Sequence, residues 1–288
     1  MSANLIRLHF IVLLYGFTAI LGRLISLSAA DLVWYRIIIA VSVLLIYARF
    51  KGLKFRIPRV DLIKIALVGL VVVCHWITFY RAIKVSNVSV ALGCFASTTL
   101  FASILEPIVM RRRVRFLEVF IGLVIIAGLY LIFSFETRYT EGIITSIVSA
   151  FLASLFTILN KTFTHKYDPV EISIVEMTSG WIALSAFMLW WHPSLSQFPV
   201  PLATDWIWLV LLAVVCTSYA YVVSIDIMKT ISPYTVVLTV NLEPIYSIVL
   251  AWIFFGETEH MSGGFYLGTI VILSSVFLYP YLRRKFRH

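Results

Sequence analysis

The chain has 288 residues, of which 61% are hydrophobic and only 13% are charged. Soluble domains carry about 25% charged residues, so this composition excludes an ordinary soluble protein and indicates a polytopic membrane protein. The net charge of +9 does not indicate a nucleic-acid partner, because the basic residues lie in short connections between apolar segments.

Ten apolar segments approach the roughly 20 residues that a helix needs to cross the hydrocarbon core of a bilayer. We therefore predict an all-α polytopic membrane protein with ten transmembrane helices, numbered here as predicted helices 1 to 10. They cover residues 8–25, 32–48, 62–80, 87–109, 116–135, 142–160, 170–191, 206–225, 232–255 and 264–282.

The basic residues also predict the orientation in the membrane. Eighteen of the 23 Lys and Arg residues fall on the side of the termini, four fall on the other side, and Arg36 lies within predicted helix 2. The positive-inside rule therefore places both the N and the C terminus in the cytoplasm.

The ten predicted helices divide into two halves, residues 1–138 and residues 139–288, around a short connection. Because five is odd, the second half starts on the opposite side of the membrane, so the halves would form an inverted repeat. Weak internal matches favour this repeat. Gly22-Arg23 matches Asn160-Lys161, and Asp61 matches Asp205.

One four-residue match does not follow the repeat. Leu105-Glu106-Pro107-Ile108 recurs as Leu242-Glu243-Pro244-Ile245, but Glu106 lies about 28 Å into its helix and Glu243 only about 16 Å into its own. Aligning the starts of the two helices instead pairs Glu243 with Ser97, which we expect at the central cavity.

Predicted helix 9 carries the leading candidate site. Glu243 lies near the bilayer midplane, where a charge costs roughly 2.5 to 3.5 kcal/mol and requires a partner or water. Thr239, Glu243 and Tyr246 share one helical face, and Asn241 precedes Glu243 closely. Removal from water disfavours a charged carboxylate, so Glu243 is also the candidate for proton coupling. The alternative is a purely structural pairing with another helix.

Aromatic and polar residues of predicted helix 3 form a second candidate group. Trp76 and Tyr80 lie one turn apart, with His75 alongside. Aromatic rings that face a cavity would contact an apolar or aromatic substrate, and His75 would accept a proton near neutral pH. Packing, or a place in the interfacial aromatic belt, is the competing interpretation for these residues.

Charged residues near the cytoplasmic helix ends suggest an inner gate or ion pair formed by Glu106, Lys161 and Glu176. Lys161 would alternatively extend its ammonium group to the membrane surface. We expect Arg36, shallow in predicted helix 2, to be paired or to reach the surface rather than to bind substrate.

The motifs of the second half resemble the EamA-like permeases of the drug/metabolite transporter superfamily. They are Ser232-Pro233, Glu243-Pro244 and Phe255-Gly256-Glu257 before a Gly-rich final helix. The ten helices, the division into five and five and the basic C-terminal tail add to the resemblance. The first half departs from the motif, since Arg111-Arg112-Arg113 stands at the position of Gly256-Glu257.

The resemblance implies a secondary transporter in a bacterial inner membrane, often an exporter of small metabolites such as amino acids, working by alternating access around a central cavity. It implies no cofactor or metal, and a monomer or homodimer in the lipid bilayer. An intramembrane enzyme or a lipid-handling protein is the alternative. Such enzymes need paired catalytic groups or a metal set, and the sequence has no HExxH or GxSxG motif.

Overall fold

The computed structural model of the protein describes residues 3–191 and 199–285. These residues form helices and turns, and no strand is found among them. The α-helices are α1 (Ala3–Leu24), α2 (Ala29–Phe50), α3 (Arg59–Val85), α4 (Val88–Phe95), α5 (Thr98–Val109), α6 (Phe116–Phe135), α7 (Thr140–Lys161), α8 (Pro169–Trp191), α9 (Ala203–Ala213), α10 (Ala220–Ile227), α11 (Pro233–Val240), α12 (Glu243–Phe255) and α13 (Gly263–Lys285).

The predicted all-α membrane fold is confirmed. In the part of the chain that the structure describes, nine helical segments are long and apolar enough to cross a membrane, and Gly263–Ser275 within α13 is a shorter apolar helix. Three of the nine segments consist of two α-helices each: α4 with α5, α9 with α10, and α11 with α12.

Two of these divided segments break at corresponding places. The first breaks at Ala96-Ser97 and the second at Asn241-Leu242. The helices after the breaks begin at Thr98 and Glu243, 145 residues apart. The structural register therefore pairs Glu243 with Thr98, one residue away from the predicted partner Ser97. The starts of α4 and α11, at Val88 and Pro233, are also 145 residues apart. The side chains of Asn87 and Ser232 cap these two helices.

Pro244 lies at the start of a helix, although its position in a long apolar segment predicts a proline inside one. Because α12 begins at Glu243, the proline lies in the first helical turn, where its missing N–H removes no helical hydrogen bond. The break in the helix precedes the proline rather than following from a kink inside a continuous helix.

The packing of the halves follows an approximate two-fold relation. α5 packs on α11 and α4 packs on α12, and likewise α5 contacts α7 while α12 contacts α1. The two breaks consequently meet at the centre of the bundle.

The glycine pattern of the last helix serves packing within the chain. A Cβ added to Gly268 would lie 2.6 Å from the carbonyl oxygen of Gly128 in α6, so the two helices approach at their backbones. This contact packs α6 directly against α13.

The two ends of the bundle are named here for use below. The first face holds the start of α1 and the connections at residues 51–58, 110–115, 162–168 and 228–232. The second face holds the connections at residues 25–28, 86–87, 136–139 and 256–262.

Candidate functional site

A cavity lies between the two halves and contains about 840 Å³ of empty space among its lining side chains, counting the part that opens to solvent. The lining reaches Asn160 and Met228, at the ends of α7 and α10 on the first face. On the other side it extends only to Arg36 and Phe79, both inside their helices, so the cavity is displaced toward the first face.

Arg36 is a buried cation in the wall of this cavity. It is 3% exposed, which contradicts the expectation of a shallow residue that reaches the membrane surface. Its Nε donates to Thr217 Oγ1 at 2.6 Å and its Nη1 to the Tyr80 hydroxyl at 2.8 Å. The guanidinium also lies 4.1 Å from the centroid of the Trp76 ring.

Each of these contacts to Arg36 is with a neutral group. None of the carboxylates in the described residues forms a salt bridge with it. A buried guanidinium with a fixed, planar set of donors is suited to a carboxylate or another anion that enters the cavity.

A π-helical turn positions one of the neutral partners. Between α9 and α10, residues Val214–Tyr219 form a π-helix. Thr217 donates within it to Leu212 O at 2.7 Å and accepts from Arg36. π-helical turns inside α-helices are frequent at functional sites. The turn accounts for the position of Thr217 opposite α2, which the sequence pattern did not indicate.

Glu243 is the acidic residue in the wall of the same cavity as Arg36. Its side chain lines the cavity and is 3% exposed. No group in residues 3–191 and 199–285 donates a hydrogen bond to its carboxyl or forms an ion pair with it. As the first residue of α12, Glu243 lies at a helix N-terminus, where the helix dipole favours negative charge.

Asn241 joins the two helix breaks instead of lining the cavity as predicted. Its amide nitrogen donates to Ala96 O at 2.8 Å and to Thr99 Oγ1 at 2.5 Å, and its amide oxygen accepts from Thr98 Oγ1 at 2.6 Å. The side chain is 1% exposed. These bonds supply partners that the interrupted helices lack.

Four other predicted cavity residues also lie outside the cavity wall. Ser97 is fully buried at the first break, and Thr239 donates to the carbonyl of Thr235 in its own helix. Tyr246 is 38% exposed, because the break at residues 241–242 turns it away from the face that it would share with Thr239. Tyr80 is buried behind the wall, where it holds Arg36.

An aromatic wall completes the cavity and contains the predicted residues Trp76 and His75. The His75 ring stacks on Phe95 at 5.7 Å and lies 5.3 Å from Phe156. Its Nδ1 is 3.0 Å from the Ser149 carbonyl oxygen. The structure thus brings His75 and Trp76 together with Glu243, as predicted, and adds Arg36.

The predicted inner gate does not form a single ion pair. Glu106 pairs with Arg112 at 3.3 Å. Glu176 accepts from the Tyr221 hydroxyl at 2.8 Å, and Lys161 donates to the Met228 carbonyl. Each residue has its own partner because the three side chains lie on helices that face different neighbours.

The contacts of Lys161 have a counterpart on the second face. Arg23, at the end of α1, donates to the carbonyls of Ile83 and Ser86 at 3.4 and 3.2 Å. Lys161, at the end of α7, donates to those of Met228 and Lys229. We call the Arg23 contacts the second-face clasp and the Lys161 contacts the first-face clasp. In each clasp a cation satisfies carbonyls at a helix C-terminus.

Further contacts of the second face add to its clasp. Asp205 accepts from the Ser26 backbone N–H at 2.9 Å and from its hydroxyl at 2.6 Å. Glu259 accepts from the first N–H groups of α4, at Val88 and Ser89. The second face is therefore held by charged contacts between the halves, on the side toward which the cavity does not extend.

Comparison with known proteins identifies the family. The model of the EamA-like transporter family matches the chain twice, over residues 6–134 and 140–280. The chain belongs to the EamA-like transporter family. This membership identifies it as an integral membrane protein and a transporter of small molecules in a lipid bilayer.

Relatives and solved structures agree with the family assignment. An uncharacterized transporter of Bacillus subtilis, YxxF, is 21% identical over 266 residues, covering 88% of this chain and 83% of the relative. An uncharacterized transporter of Archaeoglobus fulgidus is 26% identical over 151 residues, 52% of each chain. One crystal structure has the same fold, with a TM-score of 0.72 and 17% identity over 98% of this chain and 99% of the other.

Proposed function

We propose that this transporter exports small zwitterionic metabolites, amino acids among them. One observation supports this substrate class above the others. The wall of a single cavity contains a buried guanidinium, Arg36, and a buried carboxyl group, Glu243, each without an oppositely charged partner among the described residues. A zwitterion would supply both partners at once, its carboxylate to Arg36 and its ammonium to Glu243.

The aromatic wall supports an apolar or aromatic side chain on the substrate. Trp76, Phe79, Phe95 and Phe156 surround the cavity beside the two charges. Such rings offer apolar surface and faces for stacking, but few hydrogen bonds. Substrates with a large apolar side chain would therefore bind more tightly than glycine or a dicarboxylic acid.

The displacement of the cavity supports export. The cavity reaches the first face, and we infer from the distribution of Lys and Arg that this face lies in the cytoplasm, with the protein in a bacterial inner membrane. Substrate would enter from the cytoplasm while the contacts of the second face stay closed. Residues 1–138 and 139–288 would then rock against each other, separating Asp205 from Ser26 and Glu259 from the start of α4, and releasing substrate outside.

Protonation of Glu243 would couple this cycle to the proton gradient. The carboxyl group would hold either the substrate ammonium or a proton, so outward movement of one is exchanged for inward movement of the other.

The test is counterflow in proteoliposomes that contain the purified protein. We expect saturable uptake of labelled amino acids with apolar side chains against an internal pool of the same compound, and recovery of the compound intact. Recovery of a chemically altered compound would favour an intramembrane enzyme, and absence of saturable flux for every zwitterion tested would overturn the proposal.

The Glu243→Gln variant tests the role of the carboxyl in proton coupling. Gln keeps the shape of Glu but cannot exchange a proton, so accumulation driven by a pH gradient should be lost. The exposed Glu257 provides a control variant, Glu257→Gln, which should transport as the unmodified protein does. Transport by Glu243→Gln with unchanged pH dependence would remove the proton role.

A further inference from the structure

A second buried carboxyl lies beside the cavity, at the middle of a three-residue cluster. Glu176 Oε2 accepts from the Tyr221 hydroxyl at 2.8 Å and from Asn160 Nδ2 at 3.4 Å. Asn160 Nδ2 also lies 3.3 Å from the Tyr221 hydroxyl oxygen. Glu176 and Asn160 are fully buried and Tyr221 is 4% exposed. The cluster joins α7, α8 and α10, and thus bridges three helices of the second half.

Two acceptor oxygens of this cluster have no donor. Glu176 Oε1 and Asn160 Oδ1 are both buried, and neither has a hydrogen-bond partner among the described residues. Buried polar atoms are nearly always paired, and an unpaired one costs about 1 to 3 kcal/mol. Two unpaired acceptors in one buried cluster indicate that the cluster lacks a donor or a cation.

Among the described residues, no basic side chain lies against Glu176 to pair with these oxygens. α8 packs against α2, α3 and α10, and the titratable group that faces Glu176 from these helices is Tyr221. On α3, a Cβ added to Gly69 would lie 2.2 Å from the Glu176 carbonyl oxygen. The backbones are therefore in contact there and leave no space for a larger side chain at position 69.

The cluster is connected to the cavity through its other two members. Asn160 and Tyr221 both line the cavity, whereas Glu176 lies behind them. The Tyr221 ring meets the Trp76 ring edge-on at 5.8 Å. An ion in the cavity would therefore reach Glu176 past Asn160 and Tyr221, on the side of the first face.

We propose that Glu176, Asn160 and Tyr221 form a second cation site, which takes a proton from the cavity. The proton adds to the Glu176 carboxylate, no other bond forms or breaks, and the new O–H group supplies the donor that the unpaired acceptors lack. Hard metal cations such as Ca²⁺ and Mg²⁺ take at least six oxygen ligands. The cluster offers three oxygen-bearing side chains, whereas a proton requires only one acceptor.

The site deepens the proposed function and rests on it where transport is concerned. With Glu176 and Glu243 both exchanging protons, two protons would be coupled to each substrate. Removing the proton of Glu176 would lower the steady-state accumulation about tenfold for a gradient of one pH unit, the factor supplied by one coupled proton.

A substrate-free measurement tests the site separately from the transport proposal. Infrared difference spectra of the full-length protein in lipid, recorded between acid and alkaline pH, report carboxyl groups that gain a proton. We expect Glu176→Gln to remove one carboxylic-acid component and Glu243→Gln to remove another. The matched control is Glu171→Gln, in the first turn of the same helix, which should leave both components in place.

Three outcomes would overturn the site. The first is a Glu176→Gln spectrum identical to that of the unmodified protein. The second is a change in Tyr221 and Trp76 fluorescence on adding sodium at fixed pH, absent in Tyr221→Phe, which would assign the site to sodium. The third is unchanged pH-driven accumulation in Glu176→Gln proteoliposomes that still show counterflow. If the unmodified protein shows no counterflow, the proposed function fails, and the infrared result still decides the proton site.

Discussion

Arg36 is the residue on which the proposed substrate class depends most. If its guanidinium binds the substrate carboxylate, Arg36→Leu should raise the KM for zwitterions about 10- to 100-fold, since hydrogen bonds to charged groups contribute about 1.5 to 3 kcal/mol. The KM of Arg36→Lys should fall between those of the unmodified protein and Arg36→Leu, because Lys keeps the charge but cannot bond Thr217 and Tyr80 in the same geometry. KM values from initial rates of counterflow measure the effect.

Specificity separates a binding role for Arg36 from a structural one. The unmodified protein should discriminate between an amino acid and the amine that lacks its carboxylate, and Arg36→Leu should lose this discrimination. Arg138→Leu is the control, because Arg138 is 62% exposed and pairs with Glu136 outside the cavity. An Arg36→Leu variant that keeps both its KM and its discrimination would remove the carboxylate-binding role.

The sequence located some individual residues of the cavity better than others. A carboxylate in the middle of an apolar segment is visible without a structure, so Glu243 could be predicted from its cost in a bilayer. Arg36 was equally visible, but its partners Thr217 and Tyr80 come from other helices, and Thr217 is placed by a π-helical turn. No local pattern indicates such a turn. The sequence predicts that Arg36 is paired or at the surface because the residue lies near the start of predicted helix 2.

The side chain of Asn241 joins the two helix breaks, so a substitution at this one position measures how much its hydrogen bonds contribute to the free energy of unfolding. Asn241→Leu removes three hydrogen bonds that join the second break to the first. At about 1 kcal/mol for each bond, the free energy of unfolding should fall by about 3 kcal/mol. Thermal unfolding in detergent, followed by tryptophan fluorescence, measures the loss.

A second asparagine serves as the control for this prediction. Asn4 donates a single bond to Thr230 Oγ1 at 2.9 Å in an exposed position, so Asn4→Leu should change the unfolding temperature little. Equal destabilisation by the two variants would contradict the idea that Asn241 joins the breaks.

The helices themselves show where sequence reasoning stops. The ten apolar segments, their order and their division into two halves follow from length and hydropathy alone, and these predictions are confirmed. The break at Ala96-Ser97 was not predicted, because no proline or glycine marks it. It becomes intelligible only beside Asn241, which supplies hydrogen bonds from 145 residues away. The stripe of Thr239, Glu243 and Tyr246 failed for the same reason, since it assumed a continuous helix.

The two clasps are equivalent contacts, one within each half. Each joins the end of the first helix of its half to the end of the third, Arg23 on the second face and Lys161 on the first. Alternating access requires instead that contacts between the halves open, which at the second face are those of Asp205 and Glu259. The weak sequence match between Gly22-Arg23 and Asn160-Lys161 therefore corresponds to a shared structural role.

Cys216 reports which face gives access to the cavity. It lines the cavity and is 2% exposed, and the other two cysteines can be replaced as Cys74→Ser and Cys94→Ala. A small anionic thiol reagent that cannot cross the membrane, applied to vesicles of either orientation, should label Cys216 faster from the first face. Ser26→Ala should then raise labelling from the second face about fivefold, since it removes a hydrogen bond of about 1 kcal/mol between the halves.

Arg23→Met is the matched control for this prediction. Its hydrogen bonds at the second face lie within residues 1–138, so its loss leaves the hydrogen bonds between the halves in place, and labelling of Cys216 from the second face should stay close to that of the unmodified protein. An equal rise in the two variants would indicate a general loosening of the second face. That pattern would contradict a gating role for the bond between Ser26 and Asp205, because only a contact between the halves has to open when they move apart.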